Sequence, residues 1–526
     1  MMNDAPAGNA NDVKAARFLE GALLFTFCAH AAAMLSIVLL LPGLPGVTAT
    51  TVEARANYLA GHSLMWRLGW VPWQVTALSD LVLCFALVNT RWIHKLPAIL
   101  ALIATLVAII PDQGGQLLWT WRGTSLASQA LLSGKFGAYA AFESHVFLLI
   151  AGWGAVGYIT AALCWTWCFA SAGVWSTRLT FVSAGAWGVF TVSTIVLLSA
   201  RTVEAGSLVL IVVCVGNAVA FILLMIWLAN VTEGVLGRCR PATDHGLYAP
   251  WHHPARGLLP RLYDLIANSH FARALVYILP VLAMDSDITD VVYVNYLVTS
   301  DRLARFVVAP LELQRLGPDG GYAFFTFLSF HHKHFGPRCF GPLRRLWPSP
   351  IQSNWRIHVY DPVTGKRGIQ FLTIAISATR YALAARLMAE NVPMHVPERA
   401  EMSRATDGSI HLKIESGTGT APDVEATFRP AVEPVLGPPW NLCFGTWREM
   451  LAYCVPQDRA MSAQPWLGRV SRQEIRLNIP LESCRPMAGS IKSKAAEAIV
   501  GAATPLCFLV EKLSFRLLKE EYDFHG

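Results

Sequence analysis

QSNWRIHVYDPVTGKRGIQFLTIAISATRYALAARLMAENVPMHVPE, residues Gln352–Glu398, decides how the soluble part of the chain is read. A strand repeats every two residues, so Asn354, Arg356 and His358 share one face and Trp355, Ile357 and Val359 the other. Pro362–Gly365 supplies a turn, and Gly368–Leu372 returns as the partner strand. Tyr381, Leu383, Ala384, Leu387 and Met388 then recur at helical spacing, with Arg380 and Arg386 off that stripe. Asn391-Val392-Pro393 ends the helix, because the residue before a proline is pushed out of the α region. Polar residues from these pieces converge on one candidate pocket: Asn354, Arg356, His358, Arg386 and His395, with Glu398 beside them.

The flanking sequence extends this pattern. Val291–Thr299 is β-rich, and Asp301–Phe306 has the make-up of a short helix. Pro310–Phe335 gives strand, a Pro-Asp-Gly-Gly turn and strand, a hairpin signal. Further strands are predicted at His411–Glu415, Glu425–Arg429 and Arg472–Asn478. These elements make an α+β domain dominated by an antiparallel sheet. The apolar runs Phe271–Ala283 and Ala495–Val510 carry Pro280 and Pro505 and are expected in its core.

Composition changes sharply along the chain. The first 230 residues carry ten Lys/Arg and eight Asp/Glu, whereas the remaining 296 carry thirty-two and twenty-seven. Six stretches reach the roughly 20 apolar residues a membrane-spanning helix needs: Phe18–Leu41, Leu68–Val88, Leu96–Trp119, Phe142–Cys168, Leu179–Ala200 and Ser207–Asn230. An even number puts both ends on one side. Lys14, Arg17, Arg91, Lys95, Arg178, Arg238 and Arg240 flank that side, against Arg55, Arg67, Arg122, Lys135 and Arg201 on the other. The positive-inside rule therefore predicts both termini on the cytoplasmic side. The resulting plan is an N-terminal tail (1–17), a six-helix α-helical membrane bundle (18–230), a cytoplasmic linker along the membrane surface (231–268) and a soluble α+β domain (269–526).

Ionisable groups at bilayer depth cost on the order of 3 kcal/mol even on lenient scales, so each needs a reason. Glu20, Asp112, Glu143 and His145 lie near span ends, where water is expected to reach them. Asp80 and His30 lie mid-span and are the membrane candidates, either paired within the bundle or lining a ligand path. One deep histidine does not make a haem pair, and no cofactor is expected. The net charge of +7 is too dispersed for a nucleic-acid face but suits a neighbour of anionic membrane lipid. Eleven scattered cysteines predict neither a disulfide framework nor a zinc site. His331, His332, His334 and Cys339 form a visible cluster, yet alternation splits it and no carboxylate lies near in sequence, so no metal is expected. No phosphate-cradling loop, dinucleotide fingerprint, nucleophile elbow or HExxH occurs.

The order Asn354-x-Arg356, turn, Gly368 with Phe371 and Leu372, Ala385-Arg386 and Val392-Pro393-Met394 resembles the YqjF-like bacterial family, a branch of the acetoacetate-decarboxylase-like superfamily. The match runs from about Asp290 to Asn478 and does not touch the membrane half. It implies a barrel-like, mainly antiparallel sheet enclosing a small-molecule cavity. It also implies a Schiff-base lysine in the loop after the helix, but here that loop reads Pro393-Met394-His395 and no lysine occurs between Arg367 and Lys413. A thioether and an imidazole cannot form an imine. The expectation is a binding domain for a small anionic or oxo-containing ligand such as a carboxylate, with arginine as its bidentate fork. The alternatives are a lyase or hydratase with His395 as acid/base, and a transporter or lipid-handling protein with a regulatory soluble domain.

Overall fold

The computed structural model describes residues 10–46, 51–200, 208–240, 243–277, 279, 283–455, 458–477 and 479–524. Residues 1–9 of the expected tail, together with Arg201, Pro280 and Asn478, lie outside them. The chain forms two compact units, Met1–Cys239 and Arg240–Gly526.

Among the described residues, the first unit contains six helices long and apolar enough to cross a membrane: Val13–Gly43, Ser63–Asn89, Lys95–Ser133, Gly137–Ser171, Thr177–Ala200 and Leu208–Cys239. A segment that crosses a membrane must satisfy its own backbone where no water is available, which a continuous helix does. Side chains such as Leu35, Ile110, Phe181 and Leu208 point outward. The third and fourth spans cross closely at Gly157, where a Cβ would lie 2.6 Å from that of Ala108. A short helix, Val52–Gly61, precedes the second span and is capped by the Thr51 side chain, which accepts from Ala54 N.

Two carboxylates expected to reach water do not. Glu143 is buried in a bidentate pair with the equally buried Arg55, Nε to Oε1 at 2.7 Å and Nη2 to Oε2 at 2.5 Å. Asp112 is buried and accepts from Gln113, Gln116 and Tyr158 at 2.9–3.0 Å. Position along a span therefore did not determine their exposure: Arg55 encloses Glu143 from another helix, and Tyr158 of another helix joins Gln113 and Gln116 of the same helix around Asp112. The mid-span candidates do meet: His30 Nε2 lies 3.9 Å from Asp80 Oδ1, while His30 Nδ1 bonds the Thr26 carbonyl.

Among the described residues, the second unit is built on fourteen strands: β1 Met284–Thr299, β2 Glu312–Leu313, β3 Arg315–Leu316, β4 Tyr322–Pro337, β5 Ile351–Tyr360, β6 Arg367–Ile376, β7 Met394–His395, β8 Arg399–Arg404, β9 Ile410–Glu415, β10 Val424–Pro430, β11 Arg459–Gln464, β12 Arg469–Leu477, β13 Cys484–Lys492 and β14 Leu506–Phe524. Pairing runs β1-β4-β5-β6-β11-β12-β14, and β14 also pairs with β1, so the hydrogen-bond path returns on itself. An arm, β13-β10-β9-β8, branches from β14. The pairings are antiparallel except β6 with β11 and β6 with β7. Gly368 permits the β6–β11 approach: a Cβ there would meet the Arg459 carbonyl oxygen at 2.5 Å.

The turn between β5 and β6 is held by Asp361, whose carboxylate accepts from Val363 N and Thr364 Oγ1, with Gly365 at φ +67°. Trp355, Ile357 and Val359 enter one apolar cluster with Phe325 and Phe327. The opposite face of β5 is buried as well, so a strand with one polar face is enclosed on both sides. Within the stretch expected as a linker, Trp251 is fully buried, its Nε1 donates to the Met394 carbonyl, and Gly246 N donates to that of Leu372. The sixth span itself continues to Cys239.

Candidate functional site

The polar face of β5 lines an interior cavity of about 50 Å³ whose wall includes Tyr293, His332, Asn354, Arg356, Met394 and Gln473. The rest of its wall is mostly apolar, and none of the described lining residues is Asp, Glu or Lys. Arg356 sits opposite Thr326 of β4 and Phe371 of β6, which fixes its place on the inner surface. It is only 3 % exposed, and among the described residues neither its Nε nor its Nη2 finds an acceptor. Burying a cation in that state costs several kcal/mol unless something compensates.

The neighbouring groups are arranged as donors. Gln352 Nε2 donates to Asn354 Oδ1 at 2.6 Å, which leaves the Asn354 NH2 free to donate elsewhere. Gln352 Oε1 then accepts from His332 Nε2 at 2.8 Å, and His332 Nδ1 accepts from Ser286 Oγ at 2.8 Å. Burial lowers the His332 pKa to about 4, so this ring is a neutral, fixed spacer at physiological pH. The Tyr293 hydroxyl has no partner among the described residues. Burial pushes its pKa up to about 12, with Arg356 opposing, so it remains a donor. Gln473, fully buried, has both amide atoms unpartnered among the described residues.

The residues singled out from sequence divide. Asn354 and Arg356 face the cavity. His358 lies on the same strand face, fully buried between the rings of Phe324 and Tyr453 at 5.1 and 5.2 Å, with both nitrogens unpartnered among the described residues. Burial and the nearby Arg356 hold its pKa well below the usual range, so it is neutral. Arg386 and His395 are not in the cavity wall. Arg386 donates from Nε to the Ala267 carbonyl at 2.9 Å and from Nη2 to that of Ala249. His395 bonds Thr420 Oγ1 at 2.7 Å. Burial, with Arg386 and His252 adding to it, brings its pKa to about 3. Glu398 is exposed.

Tyr293, His332, Gln352 and Gln473 were not singled out for this pocket. Alternation along β5 does carry a signal for Gln352, two residues before Asn354; the others arrive from distant strands. Of the histidine cluster, His332 is interior, whereas His334 pairs with Asp287 at 3.2 Å. Among the described residues, no group of three or more His, Cys, Asp or Glu is placed to hold a metal ion.

A second polar group, half-buried, lies on the sheet. Glu520 of β14 accepts from Tyr277 Oη at 2.9 Å, Asn391 Nδ2 at 3.0 Å and Ser471 Oγ. Burial, reinforced by Glu390, raises its pKa from 4.5 to about 7. Because the folded state holds this proton more tightly, the contribution of Glu520 to stability is most favourable below pH 4.5, declines as pH rises to about 7, and keeps its full penalty above that. Glu520→Gln is expected to flatten that slope and to stabilise the protein at pH 8 by about 2 kcal/mol, read from unfolding curves across pH.

No protein-family model and no curated protein sequence matches the chain, so the YqjF-like resemblance rests on the residues that carry it. Solved structures with some likeness include the enduracididine biosynthesis enzyme MppR complexed with pyruvate, at 14 % identity and TM-score 0.32, covering 46 % of this chain and 91 % of that one. An acetoacetate decarboxylase-like enzyme from Sphingomonas wittichii RW1 gives 8 % and 0.33, covering 47 % and 94 %. Acetoacetate decarboxylase from Legionella pneumophila gives 8 % and 0.31, covering 45 % and 87 %. These scores are too low to assign an activity.

Proposed function

We propose that the second unit is a binding domain for a small anionic or oxo-containing molecule, carried by a multi-pass bacterial inner-membrane protein with both termini in the cytoplasm. The carrying observation is Arg356: a buried guanidinium with two nitrogens unpartnered among the described residues, facing a cavity whose described wall holds no carboxylate. A carboxylate matches the guanidinium fork, and Asn354 and Tyr293 add donors beside it. Apolar side chains such as Ile288, Val291 and Leu513 receive the remainder of the ligand. The cavity of about 50 Å³ limits that ligand to a few heavy atoms unless the walls move. Met394 lines the same space, so the loop position that lacks an amine faces the ligand, and binding needs no imine.

Arg356→Met tests this reading in the full-length protein in detergent. Without ligand, the variant is expected to be more stable than the parent by about 1–3 kcal/mol, because a buried guanidinium offset chiefly by the Tyr293 ring, 5.7 Å away, is gone. Pyruvate and other three- or four-carbon acids are expected to raise the melting temperature of the parent and not that of the variant. Equal ligand stabilisation of both proteins would remove Arg356 from the site. A reporter fused at the C-terminus and found in the periplasm would reverse the proposed orientation.

A further inference from the structure

Helix Leu258–Asn268 buries Ala267 against the second unit and turns Leu258, Leu259, Leu262 and Leu265 outward, at 87, 55, 47 and 65 % exposure. Spacings of four and three residues from Leu258 to Leu262 to Leu265 put these side chains on one stripe, away from the buried face. Exposed leucines on one helical stripe are not the scattered apolar residues of an ordinary soluble surface. The exposed Arg256 and Arg261 flank the stripe. Asp264, the one acidic residue of the helix, is engaged by the His253 backbone N–H at 2.7 Å.

A second element has the same character. The 3-10 stretch Arg338–Leu346 exposes Phe340, Leu343 and Leu346 at 41, 58 and 79 %, interleaved with Arg338, Arg344 and Arg345 and with no acidic residue. Tyr263 of the helix and Trp347, next after the 3-10 stretch, pack on one apolar cluster, that of Trp251, Phe335 and Tyr381. Both elements therefore border the same core.

We propose that these two elements form a lipid-docking surface that inserts leucines at the headgroup boundary of an anionic bilayer, with Arg256, Arg261 and Arg345 on its phosphates. Arg338 lies 4.0 Å from Asp285, and Arg344 donates to the His334 and Gly341 carbonyls. The occupant is argued from charge and from the chain itself. A shallow apolar stripe ringed by arginine fits an anionic interface, and Leu258 lies 19 positions after the end of a helix suited to crossing that bilayer. Docking here is separate from the interior cavity and does not depend on what that cavity binds.

The test uses the full-length protein in nanodiscs of phosphatidylcholine, with or without phosphatidylglycerol, doped with a photoactivatable phospholipid, followed by peptide mass spectrometry. Crosslinks are expected in peptides covering residues 258–268 and 338–346 as well as in the spans, and more strongly with phosphatidylglycerol. Leu258→Glu/Leu262→Glu, both at exposed positions, is expected to remove the first set while crosslinks in the spans persist. Leu343→Glu/Leu346→Glu is expected to do the same for the second. Crosslinks confined to the spans in the parent protein would overturn the proposal. So would labelling of these peptides that survives the glutamate substitutions, or a neighbouring copy of the chain crosslinked at these sites instead of lipid.

Discussion

Arg55→Ala is expected to destabilise the first unit by about 3–5 kcal/mol, measured by unfolding the detergent-solubilised protein in increasing denaturant. The effect follows from leaving Glu143 as a buried carboxylate, 3 % exposed, without the two-point contact that holds it. Glu143→Ala is expected to cost a similar amount by stranding the guanidinium. The double variant Arg55→Met/Glu143→Leu, which removes both charges and keeps the volume, is expected to recover most of the loss. That pattern separates a coupled pair from two independent side chains. Single-variant losses below about 1 kcal/mol would show that water compensates the pair, as it does at a surface.

Arg386→Met is expected to cost the second unit about 3–4 kcal/mol, since two buried carbonyls, those of Ala267 and Ala249, lose their charged donor. The side chain is only 1 % exposed, so no water takes over. Its donors reach residues before and at the end of helix Leu258–Asn268 and hold that segment to helix Thr379–Met388. Arg273 repeats the device, donating to the Arg386 carbonyl at 3.0 Å and to that of Leu247 at 3.3 Å. Hydrogen exchange in residues 245–268 is expected to rise in the variant. Arg386→Lys is not expected to rescue it, because one ammonium does not reproduce a planar fork with two separated acceptors. Unchanged exchange in that segment would contradict the role assigned to Arg386.

What could be read in sequence was local. The six long apolar helices among the described residues follow from length and hydropathy alone and start within a few residues of where the sequence places the expected spans. The unit from β5 through the turn to β6 and the helix after it was readable because a period of two, a turn and a period near 3.6 succeed one another within fifty residues. That periodicity placed Asn354 and Arg356 correctly on one face. It could not place Arg386 and His395, because the face each presents depends on how segment 245–268 and Thr420 fold back onto the sheet. β14 went unrecognised for a related reason: it pairs with β1, β12 and β13 and is part of the path that closes the sheet, and only long-range partners define it. Gln473 joined the cavity the same way, from β12, with nothing in its own neighbourhood to mark it.

The proposed role of Arg356 is to hold an anion in the pocket beside β5. A crystal structure of the protein grown with a saturating small carboxylate such as pyruvate tests it most directly. The account predicts ligand density inside the cavity, with carboxylate oxygens at hydrogen-bonding distance from Arg356 Nε and Nη2 and the apolar end against Val291 and Leu513. Ligand density found only outside the cavity, with water alone on the guanidinium, would contradict it.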